Sequence, residues 1–398
     1  MSLPVQSEIN IGLVGHVDHG KTSITKMLTG KWTDTHSEEL KRGISIRLGY
    51  ADALFRKCEV CKGFEAYCSE EKCSCGKETK VLRRVSFVDA PGHETLMATM
   101  LSGAALMQGA MLIVAANEDC PQPRTIEHLM ALKLSDVKNL VVVQNKVDLV
   151  SKEKAKENYI QIKAFLKDYG YDKAPVIPVS ANLGINKDAL IYALEKTIKT
   201  KKVFPGDKLR MYVVRSFDVN SPGSKIPSLK GGIFGGSIAS GILKVGDEIE
   251  ISPGIDAKPI TSKVLSLNTE FGKLEEARPG GLIAVGTTLD PAVTQNDKMK
   301  GQVISTKGVL PEPTKRIKIS YKTIDRLLVA DLKKPLKMNE ALVVTIGTAT
   351  NVGMVASIRD DIVELNLKAA SVVEKDQRVA LSRRSSDGWR LYGYGLIQ

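Results

Sequence analysis

The stretch Ile9-Asn10-Ile11-Gly12-Leu13-Val14-Gly15-His16-Val17-Asp18-His19-Gly20-Lys21-Thr22 decides how this chain is read. Its first six residues are a largely apolar run, the pattern of a strand buried on both faces. The next eight spell G-x-x-x-x-G-K-T, and a helical pattern follows at 22–28. Strand, glycine loop and helix in that order form a phosphate cradle. The glycines let backbone amides curl around phosphate oxygens, and the helix N-terminus adds partial positive charge. Lys21 can reach the β- and γ-phosphates, and the Thr22 hydroxyl can ligate Mg²⁺. Val17, Asp18, His19, Gly20, Lys21, Thr22 and Ser23 are therefore the expected phosphate-side contacts.

Working outward, further apolar runs at 85–88, 110–115, 140–143 and 176–179 alternate with helical patterns at 94–106, 124–134, 152–169 and 188–198. Apolar strands separated by helices predict an α/β P-loop domain with a mostly parallel, doubly wound sheet. Near 201–205 the pattern changes to short alternating segments punctuated by glycines such as Gly231, Gly232, Gly235, Gly236, Gly241 and Gly246. Turns every ~10 residues suit a β-barrel. A second break at 301–313 precedes the segments 316–321, 341–346, 351–358 and 362–367, which read as another barrel. The expected domains are 1–204, 205–305 and 306–398.

A phosphate loop does not choose a base; three later motifs do. Asp89-Ala90-Pro91-Gly92 puts a carboxylate where it would hold Mg²⁺ through water, and a Gly92 amide where it would sense a γ-phosphate. Asn145-Lys146-Val147-Asp148 offers Asp148 to guanine N1 and N2, a donor pair that adenine lacks. Lys146 would lie along the base and Asn145 would tie this loop to the phosphate loop. Ser180-Ala181-Asn182 offers a backbone amide to guanine O6. All four motifs follow strands, at the carboxyl ends where open α/β sheets bind ligands. GTP or GDP with Mg²⁺ is the ligand they imply.

Lys+Arg number 57 against Asp+Glu 45, a formal charge of +12. That balance suits a polyanionic partner such as RNA, and it equally suits plain solubility. Aromatics are 5%, too few to advertise a base-stacking platform. No apolar run reaches the ~18–20 residues that span a bilayer, and the polar start shows no secretory signal, so a cytoplasmic location is expected. Five of the six cysteines fall between Cys58 and Cys75. Such a cluster in a cytosolic chain favours a metal over disulfides. Cys58, Cys61, Cys73 and Cys75 are the expected Zn²⁺ ligands of a knuckle spanning about 56–78, with Cys68 as substitute. Four thiolates close the site, so its role is structural.

The ordered motifs resemble those of the Ras-like GTPases. The forms Gly15-His16-Val17-Asp18-His19-Gly20 and Asp89-Ala90-Pro91-Gly92-His93-Glu94 are similar to the translation-factor branch. That resemblance implies that His93 orients the attacking water as the catalytic residue, and that Val17 and Ile44 gate it. Lys41-Arg42-Gly43-Ile44-Ser45-Ile46 looks like the first switch of this branch. Ser45 stands where the family usually has a threonine that ligates Mg²⁺. Some relatives bind a second Mg²⁺ at the positions of Asp18 and the Gly43 carbonyl.

With the cysteine insert, residues 36–43, 89–96, 97–103, 215–220, 235–238, 243–249 and 279–282 resemble the gamma-subunit family of translation initiation factor 2, archaeal type. The resemblance implies GTP-dependent carriage of initiator methionyl-tRNA to the small ribosomal subunit. It also implies alpha and beta subunits as partners. The rival readings are an elongation-type carrier of another aminoacyl-tRNA, a sulfate-activation GTPase on the same scaffold, and a binding module that holds GTP without turnover.

Overall fold

In a computed structural model, the structure describes residues 3–32, 49–89, 97–200, 202–204, 206–221, 223, 229–324, 330–386 and 388–398. The chain divides into two compact units, Met1–Lys201 and Lys202–Gln398.

The first unit is built in the order β1 (Asn10–Gly15), α1 (Lys21–Thr29), β2 (Gly49–Cys58), β3 (Tyr67–Cys68), β4 (Thr79–Asp89), α2 (Met97–Ala104), β5 (Gly109–Ala115), α3 (Pro123–Leu134), β6 (Leu140–Asn145), α4 (Lys152–Asp168), β7 (Val176–Pro178) and α5 (Lys187–Thr197). These strands form one sheet in the order β3-β2-β4-β1-β5-β6-β7. The run β4-β1-β5-β6-β7 is parallel. Every residue of β1, β5 and β6 is buried, which is why their sequences read apolar without alternation. Ile9, Ile11, Leu13, Phe55, Phe87, Met111, Val143 and Leu190 share one core.

The other edge departs from the expectation. Strand β2 runs antiparallel to β4 and carries the sheet out to the cysteines. Strand β4 is also longer than its apolar 85–88 segment, because it continues through Arg83 and Arg84, both buried. Arg83 is satisfied by the C-terminal end of α5: it donates to Glu195 at 2.6 Å, to Thr200 Oγ1 at 3.1 Å and to the Ile198 carbonyl at 2.8 Å. Charged letters hid a strand whose charges are paired internally.

The second unit holds two barrels. Strands β8 (Arg210–Phe217), β9 (Ile233–Ser240), β10 (Leu243–Lys244), β11 (Glu248–Ile255), β12 (Lys258–Thr269), β13 (Gly272–Leu274), β14 (Glu276–Ala277), β15 (Ile283–Thr287) and β16 (Val303–Thr306) precede β17 (Thr314–Thr323), β18 (Ala341–Ile346), β19 (Ala349–Arg359), β20 (Ile362–Ser371), β21 (Arg378–Ser385) and β22 (Gly388–Ile397). The first barrel closes as β11-β16-β8-β9-β15-β12 through a β11–β12 pairing. The second closes as β17-β20-β19-β18-β21-β22. Closure removes free sheet edges, so short strands with frequent glycines suffice. Each barrel has its own core, around Phe234 and Ile251 in one and around Ile319, Val344 and Leu381 in the other.

Two neighbouring arginines of β21 part company. Arg383 is buried. It donates to Glu340 at 2.5 and 3.0 Å and to the carbonyls of Leu332, Lys334 and Pro335, and it lies over the Tyr392 ring. Tyr392 is in the core, whereas Arg384 is exposed.

Candidate nucleotide site and cysteine knuckle

The phosphate loop leaves the sheet at Gly15, whose φ is 147°. A Cβ there would lie 2.3 Å from the Ile113 carbonyl of β5, so only glycine fits between the strands. The loop ends at Gly20, with φ 90°, the cap residue of α1. Lys21 is buried, and its ammonium donates to the carbonyls of Gly15 at 3.1 Å and His16 at 2.8 Å. The lysine therefore spans the loop it belongs to. Thr22 Oγ1 donates to Asp89 Oδ2 at 3.0 Å, so the two oxygens expected near Mg²⁺ meet across α1 and β4. Hydroxyl and carboxylate are the hard donors that such a cation takes. Val17 is half-buried, and Asp18 is exposed with φ 61° at the loop crest.

The base-side motifs converge on the same rim. Asn145, 2% exposed, donates through Nδ2 to the His19 carbonyl at 2.9 Å and accepts the Ala181 amide on Oδ1 at 3.1 Å. One side chain thus ties the phosphate loop, the end of β6 and the end of β7 together. Lys146 takes a left-handed conformation, φ 62°, which turns the chain outward and leaves Asp148 exposed. Ser180 is fully buried and braces its loop, accepting the Leu183 amide on Oγ at 3.4 Å. Of the segment Ser180-Ala181-Asn182, expected to offer an amide to a base oxygen, the Ala181 amide is directed at Asn145, and Asn182 is exposed beside it. His93, Gly92, Ser45, Gly43 and Ile44 lie outside the described residues.

Under the loop the His19 side chain sits with Glu118 and His128, two residues that the sequence reading missed. The His19 imidazole is fully buried beneath the loop: Nδ1 is 3.0 Å from the Ile113 carbonyl and Nε2 is 3.3 Å from Glu118. Burial holds its pKa below the usual imidazole value, against the pull of those two acceptors. His128 of α3, 1% exposed, accepts the Gly15 amide on Nδ1 at 2.8 Å. Burial, then the neighbouring Lys21, Arg124, His16 and His19, push its pKa down to about 3. A sequence signal existed: Thr125, His128, Leu129 and Leu132 fall at helical spacing on one buried face.

The cysteines assemble at the far end of β2 and β4. The sulfurs of Cys58, Cys61, Cys73 and Cys75 all lie within 4.8 Å of one another. Cys58 and Cys75 are 3.7 Å apart, and Cys61 and Cys73 are 3.6 Å apart. Cys68 instead donates to the Glu70 carbonyl at 3.5 Å. The turn at 73–77 closes through the Gly76 amide to the Cys73 carbonyl and the Cys73 amide to the Lys77 carbonyl, which brings the tight Cys73-x-Cys75 pair into line. Amides of Cys61 and Val60 lower the Cys58 pKa, and the Cys75 amide draws Cys73 down to about 7. Cys61, which faces the other thiols, is pushed up. Four sulfurs this close could hold a metal ion. The knuckle is seated on α5 through an edge-on Tyr67–Tyr192 contact and a Lys187–Glu70 ion pair.

Known proteins match along the whole chain. Residues 6–200 match the elongation factor Tu GTP binding domain, 231–305 match elongation factor Tu domain 2, and 315–397 match the C-terminal domain of initiation factor eIF2 gamma. Translation initiation factor 2 subunit gamma of Methanococcus aeolicus is 52% identical over 99% of each chain. The counterpart in Methanocaldococcus jannaschii is 53% identical over 99% of this chain and 98% of its own. A bacterial selenocysteine-specific elongation factor superposes with TM-score 0.74 at 26% identity, covering 98% of this chain and 58% of that one. SelB of Methanococcus maripaludis, with a GTP analogue, gives TM-score 0.73 at 21% identity, covering all of this chain and 80% of that one, and shares the fold. No helix among the described residues is long and apolar enough to cross a membrane. A GTP-binding domain followed by two barrels, matched end to end at this identity, makes the chain a translational GTPase that belongs to the gamma-subunit family of translation initiation factor 2.

Proposed function

We propose that this chain carries initiator methionyl-tRNA to the small ribosomal subunit while GTP is bound, and leaves after GTP hydrolysis. The observation that carries the reading is full-length identity of about half to initiation factor 2 gamma subunits, rather than to elongation factors. The alpha and beta subunits of a heterotrimeric factor are its partners, the cytoplasm its location, and 1–204, 205–305 and 306–398 its domains.

In this reading the amides of 17–23 and Lys21 hold the phosphates. Thr22 and Ser45, with Asp89 through water, would hold Mg²⁺, which would neutralise charge on the transferred phosphoryl group. Asp18 and the Gly43 carbonyl hold a second ion. Asp148 selects guanine, Lys146 lies along it, Asn145 fixes the loop, and the Ser180–Asn182 segment meets the base oxygen. His93 orients the water and Gly92 reads the γ-phosphate. The order of the switch segments then depends on whether that phosphate is present.

Cys58, Cys61, Cys73 and Cys75 hold a structural zinc. A tetrahedral zinc with Zn–S of ~2.3 Å has S···S edges of ~3.8 Å, and the observed edges of 3.7 and 3.6 Å support that fit. The test of the function is capture of methionyl initiator tRNA by the chain, alone and with alpha and beta subunits, under GTP and GDP. GTP-dependent preference for initiator over elongator tRNA is expected. Preference for an elongator tRNA would overturn it.

A further inference from the structure

Gly15 poses a problem that the sheet does not solve. It is the last β1 residue in register with β5, opposite Ile113. Its φ of 147° rotates the chain out of the strand, and the close approach to the Ile113 carbonyl forbids any other residue. The rotation turns its N–H toward α3, where the His128 ring accepts it at 2.8 Å. The carbonyl of the same residue accepts the Lys21 ammonium. Both backbone groups of Gly15 are thus held, the N–H by His128 and the C=O by the lysine expected to reach the phosphates.

The acceptor must be an unprotonated nitrogen, since a charged imidazole has two donors and no acceptor. Around the ring stand Lys21 from α1, His16 and His19 from the loop, and Arg124 from its own helix, all of which disfavour added positive charge. At 1% exposure no solvent stands by to replace it.

We propose that His128 is a positioning residue for nucleotide binding: by accepting the Gly15 N–H on Nδ1, it fixes the point where β1 becomes the phosphate loop and so sets where Lys21 sits. This rests on the assignment of 15–22 as the phosphate cradle. Without the acceptor, Gly15 keeps a buried amide with no partner, and the peptide turns to find one. The loop geometry and the Lys21 anchor shift with it.

The experiment is stopped-flow binding of fluorescent GTP and GDP to the full chain and its variants. His128→Leu keeps bulk and removes the acceptor. His128→Asn keeps an acceptor, since its Oδ1 stands near the place of Nδ1. The leucine variant should bind both nucleotides about tenfold more weakly through faster dissociation, and the asparagine variant should return to within about threefold of wild type. Both variants remove the ring, so a purely packing role would weaken them alike. Equal loss in both, or no loss in either, overturns the proposal. Lys21→Ala separates the underlying assignment: if it binds nucleotide like wild type, the cradle reading itself fails.

Should His128→Leu not fold, ¹⁵N spectra of the wild-type histidines decide. The Nε2–H tautomer of His128, persisting from about pH 5 to about pH 8, is expected. An Nδ1–H tautomer would overturn the proposal.

Discussion

Asn145 is the residue on which the site's coherence depends most visibly, because its two side-chain bonds join three strand ends. Each such buried bond is worth ~1 kcal/mol, and an orphaned partner costs more. Asn145→Ala is therefore expected to weaken GTP and GDP alike by about tenfold or more, measured by equilibrium titration. Gly20→Ala should act through the same contact. Its φ is positive and its Cβ would lie 2.3 Å from Asn145 Nδ2. Acid sensitivity is also argued here. His128 titrates at about 3 when folded, against the ordinary ~6.5 when unfolded. The unfolded state therefore takes up a proton first, and the stability due to keeping this ring neutral is lost as pH falls from ~6.5 toward ~3. Melting temperatures followed over that window should fall less steeply for His128→Asn.

At the scale of elements, the knuckle and the last barrel behave as separate devices. Chelation, or Cys58→Ser, should unfasten the β2–β4 extension and lower the melting temperature, while nucleotide affinity stays near wild type because the phosphate loop lies at the other end of the sheet strands. Mass spectrometry under native conditions gives the metal count; one zinc per chain is expected. Arg383→Ala leaves Glu340 and several carbonyls facing a vacant site and is expected to destabilise the second barrel by ~3–5 kcal/mol, read by urea denaturation. These elements also show what was legible in advance. The parallel strands β1, β5 and β6 were legible because burial on both faces leaves an unbroken apolar signature. Strand β2 and the first half of β4 were not, because Arg56, Arg83 and Arg84 are charged and yet buried. Such burial depends on distant partners such as Glu195, which no local pattern reveals.

For the whole molecule, motif order was the strongest message. Phosphate loop, Asp89, Asn145 to Asp148 and Ser180 to Asn182 all lie at the carboxyl ends of strands, so their chemistry could be read by position. Helical spacing put His128 on a buried face, but the bonds that it, His19 and Glu118 make could not be read, since they depend on which backbone groups the loop leaves over. His93→Ala is expected to slow triggered GTP hydrolysis by ~10²-fold or more, the ordinary scale for a water-orienting group, with nucleotide affinity retained. The account's central claim is that one guanine-selecting site governs carriage of tRNA. Its most direct test is capture of methionyl initiator tRNA by wild type and Asp148→Asn, each with GTP or xanthosine triphosphate. Wild type should capture tRNA with GTP alone, and the variant with xanthosine triphosphate alone. A variant that still works with GTP and ignores the xanthine nucleotide would contradict the account.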